Sequence, residues 1–181
     1  SITASTSANN GDTITAGGGN DTIKFANGKL TAADSIDGGT GTNTIEFTTD
    51  GTTVVDADFT LVRNVQVLTT TADSRLTSLT LGENAAAAGV TTVNLAETGA
   101  TDAVIIGSGF TNNITVDLDV DTNATNSVVA TGYTGVLTVT AADTIGGSEA
   151  GNYLLTQPTG LSADITAKAL TVSGTTVSSK T

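Results

Sequence analysis

The chain of 181 residues contains no cysteine, histidine, methionine or tryptophan, and one proline, Pro158. Without Cys and His there are no thiol nucleophiles, no histidine bases, no structural zinc sites and no serine triads built on histidine. Rings come only from Phe25, Phe47, Phe59, Phe110, Tyr133 and Tyr153, so the core must be aliphatic and thin. Basic residues are also scarce: 18 acids face 6 bases, for a net charge of −12. No Lys or Arg lies between Arg75 and Lys168, a stretch that holds nine acids. Nucleic acid and anionic membrane surfaces both require basic patches and are poor partners for such a chain, whereas divalent cations are good ones. No run reaches the length of a membrane-spanning helix, and residues 1–5 lack the basic and apolar regions of a signal peptide. The abrupt start therefore reads as a processed mature end or a piece of something larger.

What the chain has in quantity is threonine, 39 residues, together with 21 glycines. Threonine is β-branched and half-polar, which favours short strands over helix. The fold class read from this is all-β. The most informative stretches are 16–25, AGGGNDTIKF, and 38–47, GGTGTNTIEF. Each is a glycine-rich turn with one acid or amide, followed by alternating apolar residues, the pattern of a tight turn feeding a short strand. Aligned on their isoleucines they read Gly-Gly-x-Gly-x-Asp-x-apolar-x. The second copy runs Gly38, Gly39, Gly41, Asn43 and Ile45; the first has Ala16, Gly17, Gly19, Asp21 and Ile23. Half-copies lie nine residues before each, at Asp12-Thr13-Ile14 and Asp34-Ser35-Ile36.

This arrangement resembles the haemolysin-type, or RTX, calcium-binding repeats of secreted bacterial proteins. The resemblance implies a parallel β-roll in which two nonapeptides make one coil and calcium sits between stacked turns. Glycine lets several carbonyl oxygens face one point, and a hard divalent cation takes six to eight oxygens. Carried over by position, the implied calcium ligands are Asn10, Asp12, Gly17, Gly19, Asp21, Asp34, Asp37, Gly39, Gly41 and Asn43. One ion would lie between the turns ending at Asp21 and Asn43, another between those at Asp12 and Asp34. The chain departs from the motif where Ala16 replaces a glycine and Asn43 a carboxylate. The alternative is a set of metal-free turns that use Gly, Asn and Asp for ordinary conformational reasons.

Downstream, Val93, Val116 and Val139 recur at an interval of 23, and residues 104–106 and 128–129 fall between them at 24. Two strands per period with no helical phase predict stacked coils of a β-solenoid; a two-sheet β-sandwich is the alternative. Ala85 to Ala88, ended by Gly89, predict a single helical turn. Asp50-Gly51 marks a hairpin or coil corner. The stretch 54–68 resembles segments that follow such repeats in bacterial surface-layer and large adhesin proteins, and the last segment resembles module ends of filamentous-haemagglutinin-like adhesins. The organisation expected is a calcium-binding roll over 1–50, solenoid coils over 51–148, and a C-terminal β segment over 149–181 offering an assembly strand.

Asp117, Asp119 and Asp121 alternate with apolar residues and would share one strand face, where they need solvation or a cation. The spacing begins like an EF-hand loop, but Thr122 replaces the required glycine. Asp56 and Asp58 form a shorter pair, read as solvated. A glycosidase would need acids across a cleft and usually aromatic platforms, so the sequence argues against an enzyme. The reading is a secreted, calcium-stabilised structural protein of the bacterial cell surface or extracellular matrix. It would self-assemble through strand edges or solenoid ends into a surface layer or filament. The alternatives are an adhesin module that binds a cell-surface polysaccharide, with Tyr133 and Tyr153 as its only sugar platforms, and the repeat region of a secreted enzyme.

Overall fold

The computed structural model describes residues 1–4, 11–26, 28–71, 76–95, 103–118, 126–140, 144–146 and 154–156. Its strands in chain order are β1 (Ile2–Thr3), β2 (Thr13–Thr15), β3 (Thr22–Phe25), β4 (Ser35–Asp37), β5 (Thr44–Phe47), β6 (Thr52–Val54), β7 (Val62–Arg63) and β8 (Val67–Thr70). They continue as β9 (Leu76–Leu81), β10 (Thr92–Leu95), β11 (Ala103–Ile106), β12 (Ile114–Leu118), β13 (Ser127–Ala130), β14 (Leu137–Thr140), β15 (Thr144–Gly146) and β16 (Leu154–Thr156). A 3₁₀ turn at Asp56–Phe59 precedes β7, and one short helix, α1 (Glu83–Ala88), follows β9.

The strands stack as a parallel β-solenoid. One long sheet runs through every coil in the order β1-β3-β5-β8-β10-β12-β14-β16. A second sheet, β2-β4-β7, serves the first coils, and a third, β6-β9-β11-β13-β15, serves the later ones. The coil containing β5, β6 and β7 touches all three sheets and is where one arrangement hands over to the other. Among the described residues every strand pairing is parallel, so the solenoid and not the sandwich is the fold.

Register follows from side-chain alternation. Each strand turns every second residue inward, so a slip by one would expose the whole apolar set. Ile23 pairs with Ile45 and Phe25 with Phe47, all buried, while Lys24 and Glu46 pair on the outside as an ion pair. The inward column continues through Leu68, Val93, Val116 and Val139. The interval of 23 read from the valines is thus the rung-to-rung register, and the interval of 24 is that of Val104 against Val128. Asp50-Gly51 is a coil corner, with Gly51 in the left-handed region at φ 80°.

The third side of each coil is built differently from rung to rung. In the coil after β7 it is α1, longer than the single turn expected and closed by Gly89 at φ 100°. Further on it is a turn packed around Phe110 and Tyr133, whose ring centroids lie 6.0 Å apart.

Candidate functional site

Gly17, Gly19, Gly39 and Gly41 all have positive φ, as their place in the repeated turns predicts. The two turns sit directly on one another. Gly19 N–H donates to the Thr40 carbonyl at 3.0 Å and Thr40 N–H to the Gly17 carbonyl at 2.9 Å. At Gly39 the requirement is double: φ is 76°, and a Cβ would collide with the Gly17 carbonyl oxygen. Such close backbone approach is what glycine permits.

At the end of each turn a side chain reaches back to the preceding coil. The Asn43 Oδ1 accepts the Asp21 N–H at 3.0 Å, and the Gln66 Oε1 accepts the Asn43 N–H at 2.8 Å. Asp21, Asn43 and Gln66 therefore form one ladder along the solenoid. Gln66 escaped the sequence reading because it follows no glycine turn; its distance of 23 from Asn43 was the available signal. Asn43 is fully buried, and its Nδ2 donates to the Asn64 carbonyl at 2.9 Å and lies 3.5 Å from the Gly39 carbonyl. A Cβ on Gly38 would strike both the Asn64 carbonyl and the Asn43 side chain, which accounts for the glycine there.

The half-copies behave alike. Asp34 is buried, and its Oδ1 accepts the Asp12 N–H at 2.7 Å. Its Oδ2 accepts the Thr31 N–H at 2.7 Å and the Thr31 hydroxyl at 3.1 Å. Asp37 accepts from the Asn64 side chain at 2.8 Å, the Gly39 N–H at 2.9 Å and the Arg63 guanidinium at 3.3 Å. The Asn64 bond first, then Gly39 and Arg63, hold its carboxyl below the ordinary value, against a smaller opposing effect of desolvation.

Asp21 differs. Its Oδ2 is buried with no hydrogen-bond partner, alone in this among the described side-chain oxygens and nitrogens. An uncompensated carboxylate oxygen is costly to bury, and a hard cation is one species that compensates it. At Asn43, by contrast, the residues do not fit a cation, because an N–H₂ group already occupies the carbonyls that would face it. Asp34 and Asp37 have their oxygens taken by N–H and O–H donors. Among the described residues no three acidic side chains converge.

Of the acid row expected on β12, Asp117 is the one member among the described residues. Asp117 faces outward, but its neighbours across the sheet are Asn94 and Thr140, and the Thr140 hydroxyl donates to it at 2.8 Å. Asp119, Asp121 and Asn10 lie outside the described residues. Asp56 has a role that sequence reasoning missed. Its Oδ1 accepts from Gly82 N–H at 2.7 Å and Ala85 N–H at 2.9 Å, and its Oδ2 from the Asn84 backbone and side chain at 3.2 and 3.0 Å. It caps α1 from the preceding coil. Asp58 caps the 3₁₀ turn by accepting Val55 N–H. Burial raises the Asp58 carboxyl; Val55 opposes this, and nearby Asp34 adds to it.

Tyr133 is 2% exposed, with its hydroxyl 2.6 Å from the Asn112 carbonyl, so it offers no platform to a sugar; Tyr153 lies outside the described residues. Among the described residues no helix is long and apolar enough to cross a membrane. No family model, no curated protein and no solved structure matches the chain.

Proposed function

We propose that this chain is a structural β-solenoid module of an extracellular bacterial surface layer or filament, with calcium acting at its first glycine turn. The observation that carries the reading is the buried, unpartnered Oδ2 of Asp21, at the end of the solenoid where β1 and β2 are edge strands. Calcium held by Asp21 supplies positive charge to an oxygen that otherwise opposes burial. Exposed strand edges invite pairing with another copy. At the far end the last described strands of the two sheets are β15 and β16. Among the described strands the long sheet has a member at both ends, β1 and β16, whereas β2 and β15 belong to different sheets. Joining copies by their ends therefore rests on the long sheet, and the ion at Asp21 lowers the acidic repulsion beside that joint.

The test is electron microscopy of the purified chain dialysed into millimolar calcium, beside a chelated sample and an Asp21→Asn variant. Ordered sheets or fibres with calcium, lost in the other two, are expected. Dispersed monomers throughout would instead favour a binding module. That second reading has one supporting feature, an open groove of about 350 Å³ bordered by Thr92, Thr115, Thr138 and the exposed Val136. Its hydroxyls suit a neutral polysaccharide, but no aromatic ring lines it.

A further inference from the structure

We infer that the Asn43 carboxamide takes the place of a bound cation, so that the second glycine turn packs on the coil after it without divalent metal. Two backbone oxygens from successive coils, Gly39 O and Asn64 O, face one point in the buried interior of the turns, and the Asn43 Nδ2 occupies that point. An amide N–H₂ carries two donors and partial positive charge, which is what a pair of converging carbonyls requires. The orientation of the amide is set from both ends: Oδ1 must face the Asp21 N–H, and Nδ2 must then face the carbonyls. Gly38 leaves the space this side chain fills. The Gln66 side chain holds the Asn43 backbone in turn, so the amide is fixed at its own root as well.

The inference rests on the calcium reading of the turns only in its choice of test ion. A carboxylate at position 43 keeps the acceptor for Asp21 N–H but sets a negative oxygen against the two carbonyls. Three oxygens then meet in a buried site, and the arrangement needs a cation. Asn43→Asp is therefore expected to turn a metal-independent element into a calcium-dependent one.

The experiment compares wild type, Asn43→Asp and Asn43→Ala by circular-dichroism melting in EGTA and in millimolar calcium, with bound calcium counted by equilibrium dialysis. Wild type is expected to keep its β signal in EGTA. Asn43→Asp should melt about 5–10 °C lower than wild type in EGTA, recover most of that loss in calcium, and bind one additional ion. Asn43→Ala should be destabilised without gaining an ion or a calcium response beyond that of wild type. Loss of wild-type structure in EGTA overturns the inference while leaving the calcium reading of Asp21 intact. An Asn43→Asp chain with no additional ion and no recovery also overturns it. Failure of calcium to act at Asp21 is read separately, from the Asp21→Asn variant in the microscopy above.

Discussion

Asp56 holds the start of α1 with both carboxylate oxygens, in place of the local side-chain cap that Gly82 lacks. Asp56→Ala leaves three backbone N–H groups and the Asn84 amide without that acceptor, and should cost about 2–3 kcal/mol. A urea titration with a lowered midpoint and unchanged slope is the check. Asp37 and Asp58 act in opposite directions with pH. The Asp37 carboxyl is held below the ordinary value of 3.8, so its stabilising contribution is present above that pH and fades as pH falls through the depressed value. The Asp58 carboxyl is raised, so its charged form is a burden above the raised value and the burden disappears in acid. Asp37→Asn should therefore lower the melting temperature at pH 7, and Asp58→Asn should raise it. Asp58→Asn should converge on wild type in acid, whereas Asp37→Asn should do so only below the depressed value of Asp37, and melting against pH shows whether each does. At this scale the sequence was legible where a residue repeats its neighbour's role: Asp21 and Asn43 stand in line as the turns predicted. Asp56 was not legible, because its partners lie 26 to 29 residues away and no local pattern joins them.

Among the elements, β3 and β5 show why the stack holds register. Phe25 lies over Phe47 and Ile23 over Ile45, each buried, so any shift by one residue would put two rings in water. Phe47→Ala removes a fully enclosed ring from that column and should cost about 3–5 kcal/mol, measurable by chemical denaturation. The interval of 23 could be read from sequence because Val93, Val116 and Val139 occupy one inward column without interruption. The hand-over from β7 to the third sheet could not, since β6 and β7 are both short and neither carries a distinctive periodicity. Nor could the length of α1, because Ala85 to Ala88 announce a turn while Glu83 and Asn84 owe their helical place to Asp56 in the coil below.

For the molecule as a whole, each coil contacts chiefly its neighbours, so stability spreads along one dimension and is weakest at the ends. Backbone amides of β5, β8 and β10 should exchange with deuterium most slowly, and those of β1 among the fastest, in a native-state exchange experiment. Equal protection at β1 and β8 would show instead a single cooperative block. The varied third side has a consequence of another kind. Between Ile23 and Val139 the long sheet keeps every rung in register while the chain spends 22 to 25 residues on each circuit. The longest circuit, from Leu68 to Val93, is the one that carries α1. One side of the molecule thus fixes spacing while another is built as strand, helix or turn in different coils, which makes the exposed turn residues on that varied side, rather than the long sheet, the natural place to graft a foreign peptide for display.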